Sequence, residues 1–399
     1  MSDLSHIGII AQGGAAWMGG AEYTRNLLRA VAAASAAEGS ARRLSLIYGR
    51  KQAAEWGGHV GNELIALGPR PRALPVLGRF LSPANEHFIQ PVNASGCQFL
   101  YPLSYDNSYN LDVTFPLRLK KANFRWAGWI PDFQHRHFPT WFSEKENAKR
   151  DRGMTALVAE APVVVLSSQT AAADFRRFFP AGAGKEAVLS FATFPKAEWY
   201  AESFDEDLRW LPERFFLISN QVWKHKNHLL VFEALRLLAS RGIKPVVVCT
   251  GALQDFRDQD YPNVVLQAVH KMGLSSQVLL LGLLARRTQI ELMRRCLAVI
   301  QPSLFEGWST VVEDARVLGR DCLLSDLPIH REQNPPGARF FDPHSPEALA
   351  ELLAAGWETL TPGPHRDREA QARAQAEERI AEVGRNFLEI ARRVCGSAA

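Results

Sequence analysis

The sequence predicts an α/β protein built from two parallel-sheet domains in tandem. Its 399 residues exceed what one hydrophobic core usually organises, so two domains are expected. Short apolar runs alternate with amphipathic helical stretches from end to end, which is typical of βαβ units. The series of strand candidates also stops before residue 196 and starts again at residue 214.

The strand candidates form two separate series, and each series predicts its own Rossmann-like sheet. The first half contains candidates at 6–10, 43–49, 98–103, 125–130 and 162–168. The second half contains candidates at 214–220, 245–251, 277–282, 298–303, 322–326 and 339–342.

The segment between the two series is acidic, aromatic and irregular, which is typical of a linker. We therefore predict an N-terminal domain at 1–196, a linker at 197–213 and a C-terminal domain at 214–366. Residues 367–399 carry apolar side chains near helical spacing. This spacing predicts a terminal helix that packs one face on the body.

Composition excludes several classes of protein. With 47% hydrophobic and 22% charged residues, the chain resembles soluble globular proteins rather than disordered ones. Its five cysteines are scattered without a C-x-x-C pair, which argues against disulfides or structural zinc and favours the cytoplasm. No apolar run approaches the roughly 18 to 20 residues that span a bilayer, and no signal-peptide pattern is present.

The net charge of +4 is mild for this length. Nucleic-acid binders show a concentrated basic face, so nucleic acid is not an expected partner. Peripheral association with an anionic membrane surface stays open.

Ligands of parallel α/β sheets bind where strands end and helices begin. The first such loop carries Gly13, Gly14, Gly19 and Gly20 ahead of a predicted helix. Glycines let a backbone approach a ligand closely, but they also form simple tight turns. The spacing is not G-x-G-x-x-G, so a dinucleotide fingerprint is absent.

The second loop, after strand 214–220, carries Lys224, His225, Lys226 and Asn227. Two lysines at the positive end of a helix suit a diphosphate, because charge and helix dipole act together. A solvated basic loop is the alternative interpretation.

The third loop contains Glu306 and Gly307 and leads into a helix predicted from about Thr310 to Leu318. Thr310 and Glu313 fit a capping box, and Gly319 supplies the C-terminal stop. As a polar loop carboxylate, Glu306 is expected to contribute little to the core.

The helical wheel separates the two acids of this helix. Asp314 lies at the edge of the inward face, whereas Glu313 points away on the side of Arg316. A carboxylate beside a buried face needs a partner.

The fourth loop follows strand 125–130 and carries Asp132, Gln134, His135 and His137 among several aromatic residues. Carboxylate, imidazole and aromatic groups suit sugar hydroxyls and ring faces. A plain surface loop is the alternative.

Together these four segments resemble the retaining family 4 glycosyltransferases of the GT-B fold, over essentially the whole chain. The strongest likeness is PSLFEGWSTVVEDARVLGRDCLLSD at 302–326, which is similar to the E-x7-E segment of that family. Glu306 falls on the first acid and Asp314 on the second. The resemblance implies that Glu306 contacts the donor sugar and Asp314 the ribose hydroxyls, with Glu313 as the alternative for the ribose.

The resemblance also assigns residues in the other loops. Lys226 matches the lysine that grips the diphosphate, Gln221 stands at the arginine position, and Lys224 is the candidate for the missing charge. In the first domain Asp132 falls on the Asp of a His-Asp pair, with His135 as the candidate for the histidine. The remaining donor-binding positions implied are Gly307, Ser309, Thr310, Gly19 and Gly20.

The resemblance implies two domains that face each other across a cleft, with the acceptor in the first and a UDP- or GDP-sugar in the second. Transfer would proceed by front-face attack with retention, and lysines and backbone N–H groups would stabilise the leaving phosphate. No metal and no further cofactor is implied. The D-x-D strings at 205–207 and 258–260 are interpreted as solvated surface.

The implied setting is cell-surface polysaccharide synthesis in the cytoplasm or at the inner face of the membrane, with a glycan or lipid-linked acceptor. Three alternatives stay open. They are a sugar-nucleotide epimerase, a phosphorylase of the same architecture, and a non-catalytic nucleotide-sugar-binding protein.

Overall fold

Both halves of the chain form parallel sheets, as predicted. The computed structural model describes residues 4–14, 18–49, 52–56, 63–67, 85–105, 121–201, 208–255 and 257–396. The chain divides into two compact units. The first comprises Met1–Phe194 with Glu378–Ala399, and the second comprises Pro195–Glu377.

The first unit contains a seven-stranded parallel sheet of order β3-β2-β1-β4-β5-β6-β7. Its strands are β1 His6–Ile10, β2 Arg43–Gly49, β3 Glu63–Leu67, β4 Phe99–Ser104, β5 Arg125–Ile130, β6 Val164–Leu166 and β7 Glu186–Val188. The helices of this unit are Met18–Ala37, Ala53–Trp56, Glu86–Ala94, Gln134–His137, Glu144–Glu160 and Gln169–Phe178. The central strands β1 and β4 are buried along their whole length, as expected for a parallel sheet covered on both faces.

The second unit contains a six-stranded parallel sheet of order β10-β9-β8-β11-β12-β13. Its strands are β8 Phe216–Ser219, β9 Val247–Thr250, β10 Val278–Leu280, β11 Val299–Gln301, β12 Cys322–Ser325 and β13 Ala338–Phe341. Its helices are His228–Ser240, Tyr261–Lys271, Arg286–Arg295, Thr310–Val317, Pro328–Gln333 and Pro346–Thr359. The strand order reverses between β8 and β11, and ligands of such sheets bind at that switch point.

All eleven predicted strands are confirmed, with ends that differ by at most two residues. Two further strands, β3 and β7, were not predicted. Both lie at the edges of the first sheet and are mostly half-exposed. Because edge strands need no continuous apolar run, they carry little signal in the sequence.

The predicted terminal helix is present as Arg366–Gly396. Its residues from Glu378 onward belong to the first unit and the preceding ones to the second. In the first unit, Phe387 packs on Phe99 and Tyr101 with ring centroids 5.9 and 5.5 Å apart. A Cβ atom at Gly384 would lie 2.2 Å from the carbonyl oxygen of Ala30, so only glycine permits this approach of the two backbones.

The predicted linker at 197–213 falls within the second unit. It begins with a short 3-10 helix, Ala197–Tyr200, in which Trp199 is buried. No helix in the described ranges combines the length and the apolar character that crossing a membrane requires.

Candidate functional site

A buried carboxylate, Glu306, lies just past the carboxyl end of β11, at the switch point of the second sheet. Three donors converge on its Oε1 atom: Lys226 Nζ at 2.6 Å, Gln301 Nε2 at 2.8 Å and Ser303 Oγ at 2.6 Å. Its side chain is only 9% exposed. The expectation that Glu306 contributes little to the core is therefore wrong, because the loop folds over the strand end and buries the ion pair.

The electrostatics of Glu306 are governed by Lys226. Burial by itself would raise the pKa of this carboxyl, but the Lys226 ammonium and the hydrogen bonds lower it to about 2. Glu306 is thus ionised at all physiological pH values. Within the described residues its second oxygen, Oε2, accepts no hydrogen bond.

Polar side chains at the ends of two neighbouring strands hold Gln301 in place. Gln301 is the last residue of β11, and its Oε1 accepts a hydrogen bond of 2.9 Å from Asn220 Nδ2, just past β8. The Gln301 side chain then has its amide nitrogen 2.8 Å from Glu306. The carboxylate is therefore oriented by the sheet itself.

The lysine loop is a 3-10 turn, Lys224–Lys226, held at both ends. Asp255 Oδ2 accepts a hydrogen bond of 3.1 Å from the Lys224 backbone N–H. Asn227 adopts a left-handed conformation (φ 57°), and its side chain donates to the carbonyl oxygens of Pro302 and Pro343. These anchors place the Lys226 side chain, 15% exposed, against Glu306.

The other residues of the lysine loop differ from Lys226 in burial and charge. The Lys224 side chain is exposed, and Gln221 is half-buried. His225 is buried, and burial together with the Lys226 charge holds its pKa well below the usual value. Burial likewise lowers the pKa of His228 to about 4. Both imidazoles are therefore neutral, and Lys226 is the cation that this loop presents to Glu306.

The helix Thr310–Val317 begins at the predicted residue, but its capping residue differs from the prediction. Ser309 is the N-cap, and its Oγ accepts a hydrogen bond of 3.4 Å from the Val312 N–H. The predicted capping box of Thr310 and Glu313 is wrong, because Thr310 already lies inside the helix. Gly307 is half-buried in the preceding loop.

The C-terminal stop at Gly319 is confirmed. Gly319 has φ 59°, and its N–H donates to the Arg316 carbonyl at 3.0 Å while the Arg320 N–H donates to that of Ala315 at 2.9 Å. This is the Schellman pattern, which a glycine accommodates without strain.

The two acids of this helix are both buried but have different partners. Glu313 accepts a hydrogen bond of 3.0 Å from Gln333 Nε2 and lies 3.4 Å from Arg316 Nε. It lies on the side of Arg316, as predicted, but it is fully buried, so the prediction that it points away from the inward face is wrong. Asp314 is 2% exposed, and its Oδ1 accepts a bond of 2.6 Å from Arg286 Nη2. Arg286 is thus the partner that a carboxylate beside a buried face requires.

In the first unit, the glycine loop lies at the carboxyl end of β1. Gly13 and Gly14 have φ angles of 74° and 149°, and a Cβ on Gly14 would lie 2.8 Å from Glu55 Oε2. Gly19 and Gly20 are not in the loop, contrary to the prediction, because the helix Met18–Ala37 already includes them. Glycine is least costly at such a helix end, where the first backbone N–H groups have no helical acceptor.

The loop after β5 contains Asp132 and His135. Asp132 Oδ1 accepts a hydrogen bond of 3.0 Å from the Gln134 N–H. The His135 side chain is 1% exposed and bonds through Nε2 to Asp151 Oδ1 at 2.9 Å. Burial lowers the His135 pKa although Asp151 opposes this. His135 is therefore a buried, neutral imidazole rather than part of a plain surface loop.

The segment that forms the second sheet is similar to a known protein family. Residues 202–367 match the family model described as glycosyl transferases group 1. The chain contains a glycosyl transferases group 1 domain. This domain carries Lys226, Glu306 and Asp314. No protein of curated function matches the sequence.

Solved structures with the same two-sheet architecture match the whole chain. A glycosyltransferase from Rickettsia africae has a TM-score of 0.69 at 14% identity, covering 99% of this chain and all of its own. Sucrose-phosphate synthase from Thermosynechococcus elongatus has a TM-score of 0.69 at 16% identity, with the same coverage. HepE of Anabaena, solved with UDP and glucose, has a TM-score of 0.66 at 17% identity, covering 96% of this chain and 98% of its own. The fold is therefore GT-B, as the resemblance implies.

The group 1 domain brings together only some of the predicted residues. Lys226 and Glu306 form one pair, whereas Asp314 pairs with Arg286. The sequence analysis missed Arg286 because none of the motifs includes it. The string at 258–260 is a turn beside a helix start, and the string at 205–207 lies outside the described residues. In the part of the chain that the structure describes, no three His, Cys, Asp or Glu side chains are grouped to hold a metal ion.

Proposed function

We propose that this protein is a retaining family 4 glycosyltransferase, which moves a hexosyl group from a nucleotide-sugar donor to a hydroxyl of an acceptor. The observation that carries the proposal is the geometry of Glu306. Among the described residues, all three hydrogen bonds to Glu306 reach Oε1, so we assign Oε2 to accept a bond from a sugar hydroxyl. The match of residues 202–367 to glycosyl transferases group 1 supports sugar transfer.

Lys226 supplies the charge for the leaving group in this proposal. An ammonium has three donors, so its bond to Glu306 leaves donors for a diphosphate. During transfer the bond from the anomeric carbon to the phosphate oxygen breaks, and a bond to the acceptor oxygen forms on the same face. The acceptor proton leaves with the departing diphosphate, whose developing charge Lys226 and the backbone N–H groups before helix His228–Ser240 stabilise.

The remaining predicted residues are assigned either to the nucleotide or to the acceptor. Asp314 accepts hydrogen bonds from the ribose hydroxyls. Asp132 and His135 act on the side of the acceptor and the reacting sugar. A UDP-sugar is the first donor to test, because HepE of Anabaena was solved with UDP and with UDP-glucose.

The setting that we propose is cell-surface polysaccharide synthesis on the cytoplasmic side of the membrane. The acceptor is a glycan or a lipid-linked sugar, and the mild positive charge of +4 supports peripheral contact with anionic lipid. The reaction needs no metal ion, since lysine and backbone donors meet the charge of the diphosphate.

A donor screen tests the proposal. The chain is incubated with UDP-, GDP-, ADP- and dTDP-sugars and sugar acceptors, and nucleoside diphosphate release and product anomers are measured by NMR spectroscopy. We expect one donor class to be consumed with its anomeric configuration kept. Lys226→Ala should abolish the release, whereas the matched control Lys224→Ala, at an exposed position, should retain most of it.

Three results would overturn the proposal. Binding of a nucleotide sugar without turnover would indicate a non-catalytic binding protein. An inverted product would exclude retention. Absorbance near 330 to 420 nm from bound pyridoxal phosphate would indicate a phosphorylase instead.

A further inference from the structure

A short ion pair joins the buried Asp314 to the half-buried Arg286, which lies outside every motif of the sequence. Arg286 Nη2 donates to Asp314 Oδ1 at 2.6 Å. The Asp314 side chain is 2% exposed and that of Arg286 is 21% exposed. Because the two carboxylate oxygens turn together about the Cβ–Cγ bond, an anchor on one oxygen sets the direction of the other.

The Arg286 side chain is itself held from two directions. Its Nη1 donates to Gln289 Oε1 at 2.9 Å, and Gln289 Nε2 donates to Ser219 Oγ at 2.5 Å, at the end of β8. Its guanidinium carbon lies 5.0 Å from the centroid of the Trp199 ring. A planar guanidinium can stack on an indole and donate a hydrogen bond at once, which an ammonium cannot reproduce.

The same segment that carries Trp199 also contacts the helix of Asp314. Tyr200 Oη donates to the carbonyl oxygen of Val317 at 2.8 Å, and Val317 ends the helix Thr310–Val317. The short helix Ala197–Tyr200 therefore supports both the arginine and the helix that presents the carboxylate.

We propose that Arg286 is a positioning residue that aims the Asp314 carboxylate at the ribose of the nucleotide, with Trp199 as its support. The inference rests on the proposed function, in which Asp314 binds the ribose hydroxyls. By holding one oxygen of the Asp314 carboxylate, Arg286 fixes the orientation in which this carboxylate contacts the ribose hydroxyls. Discrimination between a ribose and a deoxygenated sugar depends on that orientation.

Calorimetric titration of the full-length chain tests this inference. The probes are the nucleoside diphosphate that the donor screen identifies and its 2′,3′-dideoxy analogue. We expect the native chain to bind the ribose form at least about tenfold more tightly, as a charge-assisted hydrogen bond allows. Arg286→Gln should reduce this ratio to within about twofold while leaving the affinity for the dideoxy analogue nearly unchanged.

Two further variants make the test specific. Arg286→Lys should fail to restore the ratio, because lysine lacks the planar fork. Arg287→Gln, at the next and exposed position of the same helix, should keep the native ratio. If Arg286→Gln does not fold, Trp199→Leu is tested in its place. This change removes the ring that supports the Arg286 guanidinium and keeps both charges of the ion pair. It should also lower the ratio of the two affinities.

The outcomes separate the two proposals. If Asp314→Asn loses the discrimination but Arg286→Gln and Trp199→Leu keep it, the inference on Arg286 is wrong and the ribose contact stands. If the native chain binds both probes equally or binds none, the ribose contact of Asp314 fails and the inference fails with it. A parallel loss of affinity for both probes would show that Arg286 is merely structural.

Discussion

Replacing Glu306 by glutamine tests the ion pair at the centre of the site. Glutamine keeps the size of the side chain and one acceptor oxygen, so Gln301 and Ser303 can still donate to it. The change removes the charge opposite Lys226, whose side chain is only 15% exposed. The ammonium is then a nearly buried charge without its counter-ion.

The loss of stability expected for Glu306→Gln can be estimated in two ways. Removing one partner of a buried ion pair costs about 3 to 5 kcal/mol. The pKa of Glu306 falls from 4.5 to about 2, and about 1.4 kcal/mol per pKa unit makes this worth about 3 kcal/mol at pH 7. We therefore expect Glu306→Gln to lower the free energy of unfolding by about 3 kcal/mol at pH 7.

The loss of stability in Glu306→Gln should depend on pH. Because folding lowers the pKa of Glu306, its stabilisation is complete above pH 4.5 and disappears as the pH falls through about 2. The difference between the native chain and Glu306→Gln should thus shrink from about 3 kcal/mol at pH 7 to about half of that at pH 3.

Urea unfolding of the full-length chain, followed by tryptophan fluorescence at several pH values, measures the difference. Because two-unit chains can unfold in separate steps, only the transition that the substitution shifts is compared. Glu351→Gln is the matched control: it removes an exposed ion pair with Arg241, 68% and 46% exposed, and should cost less than about 1 kcal/mol. A loss as small as that of the control, or one independent of pH, would refute the buried pair.

Three further predictions concern the helices and the division of roles. Asp314→Asn should raise the dissociation constant of the nucleotide by about ten- to a hundredfold, whereas Glu313→Gln should change it little; the reverse ranking in a titration would move the ribose contact to Glu313. By calorimetry, Lys226→Ala should weaken nucleoside diphosphate binding, and His135→Ala should spare binding but lower turnover; equal weakening would contradict split roles. Gly319→Ala should lower the unfolding free energy by about 1 kcal/mol or more, since φ is 59° and a residue with a Cβ is strained there; an unchanged denaturation midpoint would show that the turn tolerates a Cβ.

The fold was largely predictable because its central strands are continuous apolar runs. Strands such as β1 and β4 are buried on both faces, so burial leaves a direct record in the composition of the segment. The edge strands β3 and β7 leave no such record. Edge strands pair on one side only, and half-exposed strands tolerate polar residues.

The ends of the helix Thr310–Val317 were predictable to within one residue, but the residue that caps its N-terminus was not. Ser309 and Thr310 both carry a hydroxyl that can cap a helix. The structure selects Ser309, whose backbone is extended (φ −89°, ψ 112°). The sequence pattern cannot distinguish these two hydroxyls, because the choice depends on where the loop leaves β11. Gly19 and Gly20 were placed ahead of the helix because glycine is unfavourable inside helices, yet the helix Met18–Ala37 includes both.

Partners distant in sequence were the hardest to predict. Arg286 and Asp314 are 28 residues apart and lie on different helices. The need for a partner could be inferred, since an acid beside a buried face must be paired. The identity of the partner could not, because several arginines precede Asp314 and only the packing of the helices selects one.

The burial of Glu306 was predictable from the polar residues that precede it in the sequence. Its position in a strand-to-helix loop suggests exposure, yet the apolar strand before it ends in the polar residue Gln301, and the polar residue Ser303 follows two positions later. Buried amides and hydroxyls must find hydrogen-bond partners, and both side chains are fully buried. Glu306 follows Ser303 by three residues and Gln301 by five, and its carboxylate can accept a hydrogen bond from each. The structure contains both of these hydrogen bonds. Polar residues at the end of a buried strand thus indicate that the next carboxylate is buried with them, and burial makes that carboxylate's pairing with Lys226 strong enough to measure.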